Sequence, residues 1–277
     1  MFTLNCNGRI LAVNKPLVMG ILNMTPDSFF PGSRVDSGDG LLRMAEKMIG
    51  EGADMLDIGG QSTRPGSTPV DEEEELRRVI NGIISVHKRF PEAVISIDTY
   101  YSRVAQEAVG AGAGIVNDIS AGRLDPSMVQ VVADLRVPYV LMHMQGVPGT
   151  MQQTPVYEDV TREVLDFFIH RVEALRKAGI HDIILDPGFG FGKTIRHNLD
   201  LLRNLSVFSM LELPIMAGLS RKSTITQILG IPAAEALNGT SVLNTIALLN
   251  GASLLRVHDV KEAREVISLV SACYEKR

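Results

Sequence analysis

Short apolar runs separated by amphipathic segments occupy the chain from about residue 17 onward. Runs of this kind predict buried strands, and segments of helical period between them predict a parallel sheet with right-handed crossovers. About eight such units favour a closed (β/α)8 TIM barrel, which typically needs ~250 residues. The alternative is an open doubly wound sheet. The predicted strands are Leu17–Leu22, Met55–Ile58, Val94–Ile97, Gly114–Val116, Tyr139–Met142, Ile183–Leu185, Ile215–Ala217 and Leu254–Val257.

Three connecting segments carry clear helical stripes. The first follows the acidic residues 71–75, which suit a helix N-terminus, and the second ends at Gly179. The third opens with Asp259 and Glu262 at the spacing of a capping box. Before all of these, residues 2–13 alternate around Asn7-Gly8 and predict a β-hairpin. The stripes are Leu76, Val79, Ile80, Ile83 and Ile84; then Val160, Val164, Phe167, Phe168, Val172 and Leu175; then Val260, Ala263, Val266, Ile267 and Val270.

Composition narrows the class of protein. Hydrophobic residues make up 45% of the 277, enough for one large core, and no low-complexity linker interrupts them, so residues 1–277 are interpreted as a single domain. A net charge of -5 gives no reason to expect nucleic acid or an anionic membrane as partner. Cys6 and Cys273 form no metal or disulfide pattern, and no leader or run of ~20 apolar residues is visible. We therefore expect a cytoplasmic protein.

Polar or charged side chains follow nearly every predicted strand. In a barrel these positions meet at the carboxyl-terminal mouth, where active sites lie. Loop solvation is our interpretation for Asp57 and Asp118. It does not account for Lys222 and Arg256, which a barrel would bring near carboxylates, so the mouth predicts a ligand with a polar edge and a negative charge. The full set is Asn23, Asp57, Asp98, Asn117, Asp118, His143, Asp186, Ser220, Arg221, Lys222, Arg256 and His258.

Two glycine- and hydroxyl-rich segments, residues 59–66 and 218–223, predict anion binding by backbone amides and cations. Of their arginines, Arg64 lies between two turn signals, whereas Arg221 is interpreted as a solvated surface cation. The segment 188–194 is not a nucleotide P-loop, because Gly188 lies one residue too close to Gly192-Lys193. His143, between two methionines, is interpreted as a packed histidine rather than a base.

Taken together, several motifs resemble those of dihydropteroate synthase, a pterin-binding barrel family. The likeness runs from about Leu17 to the C-terminus. The resemblance implies that 6-hydroxymethyl-7,8-dihydropterin pyrophosphate and p-aminobenzoate condense to 7,8-dihydropteroate, in folate synthesis, and that sulfonamides imitate the second substrate. The motifs are Gly20–Phe29, Ser62–Gly66, Ile97–Thr99, Asn117–Ile119, Met142–Gly146, Asp186–Lys193, Ser220–Ser223 and Arg256–Asp259.

The resemblance also implies residue roles. Asp186 would accept from the pterin's amino edge, completed by Asn117 and Asp98, and Lys222 would donate to ring oxygen and nitrogen. Arg256, Lys222 and Asp98 are the residues to which it gives catalytic roles. The remaining implied substrate contacts are Thr63, Arg64 and His258 near the diphosphate, Phe191 and Pro65 around the p-aminobenzoate ring, Ser223 at its carboxylate, and Met142 and Gly218.

Magnesium is the implied cofactor, with Asn23 as its one protein ligand beside diphosphate oxygens and waters. The implied chemistry is a dissociative substitution at the pterin methylene, without a strong general base. A homodimer is implied too, with residues 242–249 and 260–270 as candidate surfaces.

The chain departs from the common family pattern at two places. Residues 30–33 read Phe-Pro-Gly-Ser where Ser-Asp-Gly-Gly is frequent, and Gln61 stands where glutamate is usual. Two other functions remain open: a pterin-binding methyltransferase and a non-catalytic pterin-binding barrel. The methyltransferase has no use for the diphosphate ligands in Ser220–Lys222 and Arg256–His258.

Overall fold

Eight parallel strands stand side by side in one sheet and follow each other in chain order around it. The computed structural model describes residues 1–24, 37–61, 70–147, 151 and 155–274, without the side chains of residues 37–39. A two-stranded antiparallel hairpin, β1 and β2, precedes the sheet. The strands are β1 Phe2–Cys6, β2 Arg9–Val13, β3 Leu17–Asn23, β4 Met55–Gly59, β5 Val94–Asp98, β6 Ile115–Asp118, β7 Tyr139–Met142, β8 Ile183–Asp186, β9 Met216–Ala217 and β10 Leu254–Val257.

The sheet closes on itself between β8 and the start of β9. Leu185 forms a parallel bridge with Ile215, and its amide donates to the carbonyl of Pro214 at 2.9 Å. On the other side β9 pairs with β10, and β10 pairs with β3. The predicted (β/α)8 barrel with an N-terminal hairpin is therefore confirmed, and the open doubly wound alternative is wrong. The assignment of residues 1–277 to one domain stays a prediction.

Helices connect the strands on the outside of the barrel. The predicted stripes lie in α2, α5 and α9, and most of their members are buried. The assignment of Ile84 to the buried stripe of α2 is wrong, since Ile84 is 47% exposed. It lies one residue beyond the buried Ile83, which turns its side chain away from the sheet. The helices are α1 Ser37–Gly50, α2 Glu72–Arg89, α3 Ser102–Gly110, α4 Met128–Leu135, α5 Val160–Lys177, α6 Ile195–Arg203, α7 Ser223–Leu229, α8 Leu237–Leu249 and α9 Val260–Tyr274, with 3-10 turns at Leu205–Leu211 and Ala233–Glu235.

The two ends of the barrel interior differ in chemistry. At the amino-terminal end the side chains are apolar, and the hairpin closes this end by packing Leu4, Cys6 and Val13 against them. Toward the carboxyl end the inward positions become polar. Because one end is filled and dry, a ligand can enter only from the polar mouth. The apolar layer comprises Leu17, Met19, Met55, Val94, Ile115, Val140, Ile184, Met216 and Leu254.

The loop after β8 packs directly on the end of β7. Gly188 adopts a left-handed backbone with φ +68, and a Cβ at this position would lie 1.9 Å from the carbonyl oxygen of His143. Only glycine fits this approach. The loop therefore has a fixed course over the barrel mouth. The need for glycine at position 188 comes from this packing rather than from phosphate binding.

Candidate active site

A cavity of about 610 Å³ opens at the carboxyl ends of the strands. It contains eight of the residues that the sequence predicts for the site. Its rim also includes residues 231–234, which sequence reasoning missed because they are apolar loop residues with no chemical signal. The predicted residues that line it are Asn23, Asp98, Phe191, Gly218, Lys222, Ser223, Arg256 and His258.

Arg256 is held between two carboxylates. Its Nε donates to Asp57 Oδ2 at 2.6 Å, and its Nη2 donates to Asp98 Oδ2 at 2.6 Å. The three side chains come from β10, β4 and β5, which converge as inward positions of the barrel. The predicted approach of Arg256 to Asp98 is therefore present in the structure.

The interpretation of Asp57 as a loop-solvating residue is wrong. Asp57 lies inside β4, is 0% exposed, and accepts from Asn117 Nδ2 at 2.9 Å as well as from Arg256. Its other oxygen, Oδ1, is buried without a partner among the described residues. Asp57 thus orients the predicted pterin ligand Asn117 and the guanidinium together. Asp118, in contrast, does bind its own loop: it accepts from the amides of Ser120 and Gly122.

Burial sets the protonation of this polar layer. It raises the pKa of Asp98 to about 7, against the charge of Arg256, with Asp57, Asp118 and Asp186 raising it further. Burial lowers the pKa of Arg256, but the carboxylates of Asp57 and Asp98 outweigh it and leave that pKa above its usual value. Arg256 therefore stays charged, and the pKa of Asp98 lies near neutral because burial and the neighbouring carboxylates raise it more than the guanidinium lowers it.

Asp186 and Lys222 lie on either side of Gly218. A Cβ built on that glycine would be 3.6 Å from Lys222 Nζ and 4.0 Å from Asp186 Oδ2, so both polar groups lie next to this position of the cavity wall. Asp186 Oδ1 accepts from the amide of Gly188 at 2.7 Å. Burial raises the pKa of Asp186, opposed by Lys222, and burial lowers the pKa of Lys222 to about 8, opposed by Asp186.

Phe191 forms an aromatic wall of the cavity. The Nζ of Lys222 lies 4.8 Å from its ring centroid and donates to the carbonyl of Phe189. Behind the ring, Phe191 packs on a cluster that contains Met142. Met142 therefore supports the wall from behind and is not among the residues that line the cavity.

A second set of hydrogen bonds at the cavity rim involves His258 and Arg221. His258 Nδ1 lies 3.0 Å from Ser220 Oγ, and its amide donates to the same oxygen. The interpretation of Arg221 as a solvated cation is wrong: its Nε and Nη2 donate to the two oxygens of Asp259 at 2.9 and 2.7 Å. Nη1 donates to the carbonyls of Ala233 and Ala234, so Arg221 fixes one rim of the cavity.

Part of the predicted site lies outside the described residues. This holds for Thr63, Arg64 and Pro65 and for the divergent residues 30–33. Gln61 is described. Its Nε2 donates to Glu75 Oε2, its Oε1 accepts from Tyr100 at 3.0 Å, and burial raises the pKa of Glu75 to about 7.

His143 is packed, as the sequence indicates. Its ring stacks edge-on to Phe167 with centroids 4.9 Å apart, and burial, with Lys193 and Arg123 nearby, lowers its pKa to about 2. The imidazole is neutral at pH 7. Lys193 Nζ lies 3.0 Å from Nδ1 of this ring, and burial lowers the pKa of Lys193 to about 7.

Metal ligands are sparse. Within residues 1–24, 37–61, 70–147, 151 and 155–274, no group of three His, Cys, Asp or Glu side chains could hold a metal ion. Asn23 lines the cavity and pairs in register with Gly59, whose own neighbour on the next strand is Asp98. An amide oxygen at this rim suits Mg²⁺, which prefers oxygen ligands and retains waters. The donor set fits an ion that arrives with a substrate diphosphate.

A carboxylate, two cations and an aromatic ring line the cavity, namely Asp98, Lys222, Arg256 and Phe191. The predicted ligands Asn117 and Asp186 are buried and are not among the residues that line it. Such a site can bind a flat heterocycle through its N–H edge and draw negative charge away from it. The chain matches the family model for pterin binding enzymes over residues 19–258. The chain belongs to this family.

Relatives agree with the match. The dihydropteroate synthase of Escherichia coli strain K12 is 44% identical over 267 residues, 96% of this chain and 94% of the relative. The structure of the Yersinia pestis dihydropteroate synthase with a sulfonamide drug has a TM-score of 0.93 and 42% identity, covering 98% of this chain and 99% of that one. The Xanthomonas albilineans dihydropteroate synthase with 4-aminobenzoic acid has a TM-score of 0.93 and 42% identity, covering 99% of each chain. The predicted resemblance is confirmed.

Membership in the pterin binding enzyme family does not by itself assign roles to single residues, and the roles predicted above stay predictions.

Of the helices that the structure describes, none has the length and apolarity of a membrane span.

Asp57→Asn keeps the size of the side chain and removes the charge that Arg256 and Asn117 share. We expect the unfolding free energy to fall by about 1–3 kcal/mol, the scale of a weakened buried hydrogen bond to a charged group. Turnover should also fall by about tenfold or more, because the guanidinium loses one of its two anchors. Urea unfolding and steady-state kinetics measure the two effects.

Asp54→Asn is the matched control. Asp54 pairs with Arg264 and accepts from the amide of Val18 at 2.7 Å, but none of these residues lines the cavity. Stability should fall in this variant while kcat/KM stays within about twofold. Equal losses of kcat/KM in both variants would contradict the role of Asp57.

Proposed function

We propose that the chain is an enzyme of folate synthesis that makes 7,8-dihydropteroate and pyrophosphate from 6-hydroxymethyl-7,8-dihydropterin pyrophosphate and p-aminobenzoate. The observation that carries the proposal is the convergence of Asp98, Asn117, Asp186, Lys222 and Arg256 at one barrel mouth. The relatives support the same activity, since they are dihydropteroate synthases.

The buried carboxylates suit the pterin. Asp186 accepts from the amino group and ring N–H, a planar donor pair that matches two carboxylate oxygens. Asn117, oriented by Asp57, extends this edge, and Lys222 donates to the ring oxygen and nitrogen. Buried carboxylate and amide groups are poorly hydrated, so they gain hydrogen bonds when the donor edge of the ring binds. An apolar ring would leave them without partners, and the site therefore favours the pterin.

The cations suit the diphosphate. The Nε and Nη2 of Arg256 face Asp57 and Asp98, and neither carboxylate engages Nη1 among the described contacts. Diphosphate oxygens accept from this guanidinium and from His258, which Ser220 orients. Thr63 and Arg64 are proposed to add further contacts from the segment outside the described residues.

Magnesium is proposed as the cofactor, held by Asn23 together with diphosphate oxygens and waters. When bound, it supplies positive charge to the leaving group. Among the described residues no group of three His, Cys, Asp or Glu side chains could hold the ion, so diphosphate oxygens and waters are proposed to supply most of its ligands.

The aromatic wall suits p-aminobenzoate. Its ring packs on Phe191, with Pro65 proposed on the other face, and its carboxylate lies toward Ser223 at the start of α7. This placement points the amine toward the pterin methylene, where the new bond forms.

The reaction is a dissociative substitution. The bond between the methylene carbon and the diphosphate oxygen breaks, and its electron pair leaves with pyrophosphate. The lone pair of the arylamine then forms the C–N bond, and the nitrogen releases one proton. Arg256 and Lys222 stabilise the departing charge, whereas Asp98 and Asp186 lie near the cationic pterin, so the site needs no strong base.

A homodimer is also proposed. Helix α8 presents Val242, Ile246 and Leu249 on its exposed side, whereas α9 buries Val260 and Ile267 against the barrel. Since α9 also exposes Leu269 and Tyr274, the proposed surface combines α8 with the end of α9.

The assay that tests the function supplies the chain with dihydropterin pyrophosphate, p-aminobenzoate and Mg²⁺. We expect stoichiometric dihydropteroate and pyrophosphate, detected by chromatography and a coupled phosphate assay. Pterin binding without product would instead favour a non-catalytic barrel, and methyl transfer to a corrinoid would favour a methyltransferase.

Lys222→Ala and Asp186→Ala should each lower turnover by at least ~100-fold, the scale of groups that stabilise charge in a transition state. Thermal unfolding run alongside separates this effect from misfolding. Near-normal turnover in both variants would show that the pterin lies elsewhere.

Deuterium at the pterin methylene tests the bond-breaking step. A cation-like transition state loosens the methylene bending modes and predicts a normal secondary isotope effect on kcat/KM. Competitive mass spectrometry of labelled and unlabelled substrate measures it. An inverse effect, or none, would contradict dissociation before attack.

A further inference from the structure

Lys193 is a buried lysine that the proposed chemistry leaves unused. It is 3% exposed, and its Nζ contacts four acceptors: His143 Nδ1 at 3.0 Å, and the carbonyls of His143, Gly188 and Phe191 at 3.2, 3.0 and 3.1 Å. Burying an amine is costly unless its N–H groups donate. The contacts come from two parts of the chain, the end of β7 and the loop that follows β8, so Lys193 joins them.

The acceptors define what Lys193 holds. Gly188 and Phe191 are the two ends of a tight turn, in which the amide of Phe191 donates to the carbonyl of Gly188 at 3.1 Å. The same Nζ therefore contacts the carbonyls at both ends of the turn. Asp186 anchors the turn on one side through the Gly188 amide, and Lys193 anchors it on the other.

This turn carries one wall of the cavity. The ring of Phe191 lines the cavity, and the carbonyl of Phe189 accepts from Lys222. A shift of the turn would move the ring directly, because Phe191 is the last residue of the turn and its carbonyl accepts from Lys193 Nζ at 3.1 Å. Of the groups proposed for the pterin, Asp98, Asn117 and Arg256 lie on other strands and have no hydrogen bond to Lys193 among those described. Asp186 and Lys222 bind the same turn, at the Gly188 amide and the Phe189 carbonyl, but through their own contacts rather than through Lys193.

We propose that Lys193 is a positioning residue for the second substrate: it fixes the turn 188–191 so that the Phe191 ring stands where an aryl amine packs. The proposal rests on the proposed function, because it takes Phe191 as the wall for p-aminobenzoate. The competing interpretation is a lysine that stabilises the fold and nothing else.

The first test is Lys193→Met, which keeps a long, unbranched side chain and removes the N–H donors. We expect KM for p-aminobenzoate to rise about tenfold, the scale of a lost aromatic contact. KM for dihydropterin pyrophosphate should change by less than about threefold. Tyr139→Phe is the control for stability alone, because its hydroxyl donates to buried Asp118 at 2.7 Å outside the cavity; it should leave both KM values unchanged.

A double-mutant cycle tests whether Lys193 acts through Phe191. In a Phe191→Ala background, Lys193→Met should raise KM for p-aminobenzoate by less than about twofold, because the ring it positions is gone. Should Lys193→Met not fold, Lys193→Gln, which retains two amide donors, takes its place and should give a smaller rise in the same KM.

Each other outcome overturns the proposal. Unchanged KM values, equal rises in both, or a full tenfold effect without the Phe191 ring would assign Lys193 to the fold alone, as would loss of folding in both Lys193 variants. An active wild-type chain with such results would leave the proposed function intact. A wild-type chain that makes no dihydropteroate would overturn both.

Discussion

The site depends on one buried ion pair network, in which Asp57 and Asp98 hold Arg256. A guanidinium inside a barrel is tolerated only when its donors are matched, and these carboxylates match two of its nitrogens. The same Asp57 oxygen accepts from Asn117. One carboxylate therefore joins the group proposed for the diphosphate to a group proposed for the pterin ring, in one hydrogen-bonded unit.

The barrel makes this network possible by separating its two ends. The hairpin and the apolar layer seal the amino-terminal end with apolar side chains, and the polar groups lie above them at the carboxyl end. Inward positions of neighbouring strands at the carboxyl end then converge without any loop having to order them. The cost of burying Asp98, Asp186 and Lys222 appears as shifted pKa values, which burial raises for the acids and lowers for the lysine. Clusters of side chains with pKa values shifted in this way are characteristic of functional sites.

Much of this architecture could be predicted from the sequence. Parallel strands buried on both faces read as continuous apolar runs, and for that reason β7 and β10 have the predicted bounds and the others differ by a residue or two. The convergence of Lys222 and Arg256 on carboxylates followed from the same strands. The prediction for Asp57 is wrong because polarity alone suggests a loop, although an acid inside the apolar run Met55–Ile58 is itself a signal of a buried partner.

The remaining features depend on contacts between distant parts of the chain. Arg221 meets Asp259, which lies 38 positions further on, and only the closed barrel brings them together. The spacing before Lys193 excludes a nucleotide motif, but the sequence does not show that its Nζ reaches back to His143. Such contacts are set by the course of a loop over the mouth, and no local periodicity encodes that course.

A crystal structure of the chain with dihydropterin pyrophosphate and a p-aminobenzoate analogue would test the central claim most directly. The account predicts the pterin's amino edge within hydrogen-bond distance of Asp186 and Asn117, its diphosphate on Arg256, and the aryl ring against Phe191. A pterin bound outside the mouth, or one whose amino edge meets none of the buried carboxylates, would contradict it.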